Sequence, residues 1–351
     1  MTAAGTTTDR PLVVRCGAFG DMVLLTALIR ELSARWLRPV DLVTSGPWSR
    51  PLLDGQPGVG EIQCIRSRKM PYWLAADQRR LVRRLRARGA GAVWYCDASD
   101  AARTLLSRAG IDAAHIVDVK DHPLKDGEHA LEQWRRLARI TPACWAERTP
   151  PGTFTTIAGC SLEVGAGARA DLEVWLRRRG LAGAPLVLIQ AGNKRTMRRG
   201  LRRLAVNQKY WPNERWAEVI RQVHEDRPRH RIVLLGTAAE YALNQEVAAL
   251  ANIDCLHNAA DDLPIPRLTA LLQRADALIT VDSGPAHAAA AVGCPQVVLF
   301  GKALPSLYRP WGAAGAPVQL LCGQVDGAAS MLGIEAGEVV DAWRRIAAAL
   351  N

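Results

Sequence analysis

Residues whose types and spacing point to chemistry gather in two short blocks. In the first, Gly17-Ala18-Phe19-Gly20-Asp21 follows the apolar run PLVVRC and leads into a helical pattern. Glycines allow a tight turn and close backbone approach, and a helix start offers N–H groups to an anion. Asp21 has two readings there: a carboxylate that merely suits a helix start, or a general base on a glycine turn. The block lacks the dinucleotide fingerprint GxGxxG, because residue 22 is Met. In the second block, Val281-Asp282-Ser283-Gly284-Pro285-Ala286-His287 runs into Ala288–Ala291, Val292 and Gly293. An apolar run empties into a small polar loop, and an alanine-rich helix follows that can approach a sheet closely. N–H groups around Ser283 and Gly284 suit a diphosphate. The plainer reading has Asp282 capping the turn and His287 packed.

Two further features carry charge. Lys209 stands just before Pro212 and a helix whose buried face is Trp216, Val219, Ile220 and Val223, close enough to present an ammonium to a phosphate. The stretch holding Arg66, Arg68, Lys69, Tyr72, Trp73, Arg79, Arg80, Arg83, Arg84, Arg86 and Arg88 has Asp77 as its one acid. It reads either as a solvated helix face or as a surface for an anionic acceptor or a membrane, with Tyr72 and Trp73 at headgroup level. No helix-turn-helix, zinc-finger or RRM signature accompanies the charge, so nucleic acid is not expected as a partner. A second basic stretch, 194–203, follows the strand at 185–190 as a loop or a solvated insertion.

The elements that must position these residues alternate between β and α. Strands are expected at the PLVV run and at 40–44, 61–65 and 91–96, with helices between, which predicts a parallel sheet with crossover helices. Residues 141–170 read as a proline-broken loop. A second alternating series follows, with strands at 185–192, 231–240, 275–284 and 295–301, and the chain closes on a helix within 334–351. Loops at strand C-terminal ends build the sites of such sheets, and pockets favour domain interfaces.

Composition sets the outer limits. The chain has 351 residues, enough for two α/β domains. With 49% hydrophobic and 23% charged residues it is neither disordered nor fibrous. Mean hydropathy is -0.03, no apolar run approaches the roughly 20 residues that span a bilayer, and the first residues lack a secretory pattern. A cytoplasmic chain is expected. The eight cysteines form no CxxC pair and are expected to be reduced and buried. The formal charge is +11, and residues 1–150 hold 23 basic against 16 acidic side chains, a balance that suits an anionic partner.

Taken together, three blocks resemble the heptosyltransferase family of glycosyltransferases. RCGAFGDMVLLTALIRELSARW is similar to that family's R-x-G-x-x-G-D and following helix, QKYWPNERWAEVI to its K-R-W-P block, and DSGPAHAAAAVGCPQVVLFG to its D-S-G-P-x-H block. Differences are Gln190-Ala191 before Gly192 where the family usually has proline, Tyr210 after Lys209, and Lys302 after Phe300-Gly301. The resemblance implies a GT-B fold, with two Rossmann-like domains facing across a cleft. The expected division is an acceptor domain over 1–165, a nucleotide-sugar domain over 166–335, and a helix over 336–351 returning to the first. It implies inverting transfer of a heptose from ADP-heptose to a lipopolysaccharide inner-core acceptor, without metal or cofactor. Asp21 is then the general base. Lys209, Glu240, Asp282, Ser283, Gly284 and His287 meet the donor; Gly20, Arg66, Arg68 and Lys69 meet the acceptor. The competing classes are a relative with another nucleotide sugar or acceptor, a nucleotide-binding module without turnover, and a nicotinamide oxidoreductase. The missing GxGxxG speaks against the last.

Overall fold

The computed structural model describes residues 9–68, 70–147, 150–154, 158–193 and 209–349. The basic stretch at 194–203 and Lys69 lie outside them. The chain divides into two compact units, Met1–Cys160 and Ser161–Asn351.

In the first unit, described strands β1 (Leu12–Val14), β2 (Val40–Thr44), β3 (Val59–Cys64), β4 (Val93–Tyr95) and β5 (Ile116–Asp118) form a parallel sheet in the order β3-β2-β1-β4-β5. Val14 is registered between Val43 and Tyr95. Short β-branched runs buried on both faces suit such strands, and Leu12, Val13 and Val14 are buried. Helix α1 (Phe19–Trp36) begins two residues before Asp21 and is buried on more sides than an amphipathic pattern suggests, because the sheet lies on one side and a later helix, Ala130–Ala138, on another. Trp36 packs edge-on against Trp94 and Trp145, with ring centroids 5.9 and 4.7 Å apart. Further helices cover the sheet: α2 (Ser49–Leu53), α3 (Ala76–Arg88), α4 (Ala101–Arg108) and α5, the helix just named.

In the second unit, strands β6 (Leu186–Gln190), β7 (Arg231–Leu234), β8 (Leu256–Asn258), β9 (Ala277–Val281), β10 (Gln296–Phe300) and β11 (Val318–Cys322) form a parallel sheet in the order β11-β10-β9-β6-β7-β8. Helices α6 (Ala166–Arg178), α7 (Asn213–Asp226), α8 (Tyr241–Ala251), α9 (Ile265–Arg274), α10 (Gly284–Val292), α11 (Pro305–Tyr308) and α12 (Ala336–Ala348) follow in chain order. The expected buried face of α7 is fully buried, and each such side chain contributes about 1.5–3 kcal/mol.

The loop ends at Ala166, where α6 begins, and not at 170. The two compact units meet at 160/161, and Leu162 donates its N–H to the Ala291 carbonyl of α10 at 3.0 Å. The closing helix packs on α7, β9, β10 and β11, with Val339, Trp343 and Ile346 in that core. Its apolar spacing completes the cover of the second sheet. Of the cysteines, Cys144 and Cys322 are exposed and Cys16 and Cys64 partly so, where burial was expected. Among the described residues no helix is long and apolar enough to cross a membrane.

Candidate active site

Each sheet has one place where the strand order reverses: between β1 and β4 in the first unit, and between β6 and β9 in the second. At such a point the loops leaving the two strands diverge to opposite faces and open a crevice at their carboxyl ends. Both sequence blocks sit on those loops.

In the first unit the turn after β1 holds Asp21 in the first turn of α1, beside Gly20. Asp21 Oδ2 accepts from the Ala18 N–H at 2.8 Å, and Oδ1 lies 3.4 Å from the Arg15 guanidinium. The carboxylate keeps 39% of its side-chain surface exposed, so it is held in place yet open to a substrate. Gly17 makes this possible: a Cβ there would stand 2.7 Å from Asp21 Cβ and 3.1 Å from Oδ2.

Three residues outside the expected site set complete this end. Asp97, buried at the end of β4, accepts from Cys16 N–H at 3.3 Å and ties the two loops of the switch point together. Arg15 also donates to the Cys96 carbonyl at 2.6 Å. Ser45 lies 3.3 Å from Arg68. Arg15 adjoins the glycine turn and Asp97 ends a strand-like run, so their positions carried a signal; Ser45 carried none.

Of the expected acceptor residues, the structure brings Arg68 to the turn: its guanidinium donates to the Cys16 carbonyl at 2.9 Å. Arg66 is exposed and lines two cavities of about 390 and 470 Å³ that share Arg50 and Cys64. Arg80 and Arg84 border the smaller one and Arg68 the larger. Asp77 shares the lining of the smaller cavity and offsets one of its positive charges: it accepts from Arg66 N–H, Ser67 N–H, Ser67 hydroxyl and Gln78 N–H, and these bonds hold its carboxyl at about 2 despite opposing desolvation.

In the second unit, Lys209 Nζ lies 2.6 Å from Asp282 Oδ2 and donates to the Asp282 carbonyl at 2.9 Å. Asp282 is buried directly after β9, and Ser283 is the N-cap of α10, its hydroxyl 3.1 Å from that of Thr280. Gly284 and Pro285 open the helix, and His287 is buried one turn in. The Lys209 ammonium stands beside the positive end of α10, and together they suit an anion. Ala286 and Ala288–Ala291 are buried, so α10 lies close against the sheet.

Glu240 lies on the same rim, across from Gly192 at the end of β6. Its Oε2 accepts from the Thr237 N–H and hydroxyl at 2.8 and 2.9 Å, while Gln190 Nε2 reaches its Oε1 at 3.2 Å and the Gly192 carbonyl at 2.9 Å. Gln190, one of the residues that differ from the usual family pattern, thus links two loops. Burial pushes the Glu240 carboxyl above its ordinary range, against the lowering effect of these hydrogen bonds. A Cβ at Gly192 would stand 2.4 Å from Glu240 Oε1.

Comparison with known proteins agrees with this arrangement. Residues 200–321 match the glycosyltransferase family 9 (heptosyltransferase) model, a span that holds every donor-side residue above. The chain is 24% identical to lipopolysaccharide heptosyltransferase 2 of Salmonella typhimurium over 338 residues, which cover 89% of this chain and 88% of that protein. Its fold is similar to the solved Escherichia coli ADP-heptose lipopolysaccharide heptosyltransferase II, with a TM-score of 0.74, 21% identity, and 96% and 98% of the two chains covered. It is likewise similar to a family 9 glycosyl transferase from Veillonella parvula, with a TM-score of 0.76, 19% identity and 96% of each chain covered. The fold is the α/β GT-B class expected from the sequence, and the chain is a glycosyltransferase.

Proposed function

We propose that this chain, which carries a glycosyltransferase family 9 domain, transfers a heptose from ADP-heptose to a lipopolysaccharide inner-core acceptor with inversion at the anomeric carbon. One observation carries the reading most: within the matched span, the Lys209–Asp282 pair and the Ser283–Gly284 start of α10 surround a single anion-attracting point at the switch point of the second sheet. The donor named by the similar Escherichia coli structure has a diphosphate of the right charge for it.

Asp21 is the general base. It takes the proton of the acceptor hydroxyl as that oxygen attacks the anomeric carbon, and the carbon–oxygen bond to the diphosphate breaks with its electron pair leaving on ADP. The positive end of α10 and Lys209 stabilise the charge that grows on the leaving phosphate. Glu240 accepts hydrogen bonds from the ribose hydroxyls, and His287 contacts the donor from the first turn of α10. On the acceptor side, Gly20 lets the acceptor approach Asp21. Arg66 and Arg68, with Lys69 beside them in sequence, bind its carboxylate or phosphate groups. Neither metal nor cofactor takes part, and the reaction belongs at the cytoplasmic face of an inner membrane.

Calorimetric titration with ADP, UDP, GDP, dTDP and NAD at one salt concentration tests the donor assignment. The expected result is a clear preference for ADP that Lys209→Ala or Asp282→Ala abolishes. Preference for another nucleoside diphosphate would remove ADP-heptose as the donor, and tight NAD binding alone would remove the transfer reaction.

A further inference from the structure

The segment between β3 and α3 presents a row of apolar side chains to water: Met70 is 47% exposed, Trp73 72% and Leu74 50%. Exposed apolar side chains this large and close together mark an interaction surface. The segment is braced from behind. Gln78, buried on α3, donates to the Ser67 and Met70 carbonyls at 2.7 and 3.1 Å, Arg79 donates to the Trp73 carbonyl, and Leu74 N–H reaches the Pro71 carbonyl at 3.0 Å. Its backbone polar groups are therefore engaged while its apolar side chains point out.

Tyr72 behaves differently from its neighbours. It is turned inward onto the first unit's core, with the Arg108 guanidinium 4.4 Å from its ring centroid. Of the two aromatic residues that the sequence places at headgroup level, only Trp73 is available to a partner.

Charge surrounds this tip. The inner face of α3 is Gln78, Leu81, Val82 and Leu85, and the outer face exposes Arg80, Arg83, Arg84 and Arg86, with Arg79 beside them. The acids here, Asp77 and the Glu61 that pairs with Arg84 at 3.4 Å, are outnumbered by these five arginines. The outward potential stays positive.

An apolar tip with an indole and a collar of arginines matches the chemistry of a bilayer interface whose headgroups are anionic. We propose that Met70, Trp73 and Leu74 enter the interfacial layer of an anionic lipid membrane while Arg79, Arg80 and Arg83 lie against its headgroups. The inference deepens the reading given under Proposed function, because a lipopolysaccharide-core acceptor is carried on lipid and this tip adjoins the arginines assigned to it.

Co-sedimentation of the full chain with phosphatidylglycerol/phosphatidylcholine vesicles, against phosphatidylcholine alone, tests it without donor or acceptor. The wild-type chain is expected to bind the anionic vesicles selectively, with a blue shift of tryptophan emission and loss of binding at high salt. Trp73→Ser combined with Leu74→Ser should weaken binding roughly tenfold or more at an unchanged thermal midpoint, since both side chains are exposed. Arg83→Glu should weaken it through the charge alone. Failure of the wild type to bind, equal binding to neutral vesicles, or full binding by the Trp73/Leu74 variant would overturn the inference. A chain that transfers sugar to a soluble acceptor yet ignores vesicles would overturn this inference and leave the transfer reaction standing.

Discussion

Gly17 has no room for a side chain, and that links its identity to the reaction. Gly17→Ala would push a methyl group to 2.7 Å from Asp21 Cβ and displace the proposed base. Turnover should fall steeply with nucleotide binding unchanged, which steady-state kinetics beside calorimetry would show. Asp21→Asn, which keeps the shape, should lower turnover by roughly 10²–10⁴-fold, again with nucleotide binding intact. Glu240 carries a pH signature. Its carboxyl is pushed upward in the folded chain by burial, so the folded state holds this proton more tightly than the unfolded one. Its contribution is therefore most favourable below the ordinary glutamate range and declines as pH rises through the folded value. Glu240→Gln should gain thermal stability relative to wild type as pH rises above the ordinary glutamate range, and a difference that does not change with pH there would contradict the account. At this scale the sequence was readable wherever a residue had few alternatives, as with the glycine turn and the Asp-Ser-Gly-Pro loop. Asp97, Arg15 and Ser45 escaped because their roles come from contacts between loops that are distant in sequence: Cys16 with Asp97 and Arg68, and Ser45 with Arg68.

At the scale of elements, both half-sites follow from strand order. The central strands were legible because they are buried on both faces and read as continuous apolar runs: the expected 40–44 is β2, and 185–192 contains β6. Strands β5, β8 and β11 were missed for the converse reason. They lie at sheet edges, and their sequences, IVD, LHN and VQLLC, mix polar residues into short runs. The last turn of α10 is closely packed from behind. A Cβ at Gly312 would lie 1.8 Å from the Ala290 carbonyl oxygen, so Gly312→Ala should shift the helix. The expected destabilisation is about 1–3 kcal/mol, with weaker nucleotide binding, measured by denaturant unfolding and calorimetry. Unchanged affinity at a lowered stability would mean that the helix position does not set the anion site.

On the whole-molecule scale the closing helix covers the second sheet. Its apolar residues announced a helix, but spacing alone cannot say which sheet they cover; the packing of Trp343, Val339 and Ile346 assigns that cover to the second unit. Trp343 is fully buried, and Trp343→Ala should cost about 3–5 kcal/mol, with nucleotide affinity falling wherever the second unit begins to unfold. The two sheets share the same logic of reversal, one holding a carboxylate beside arginines and the other an anion-attracting helix start. A transfer enzyme needs both. The most direct test is mass-spectrometric analysis of a lipopolysaccharide inner-core acceptor incubated with ADP-heptose and the full chain, beside the Asp21→Asn variant. The account predicts that the wild type adds one heptose mass and releases ADP, while the variant does neither at a comparable rate. A wild-type chain that leaves the acceptor unchanged, or an Asp21→Asn variant that glycosylates it as fast, would contradict the account.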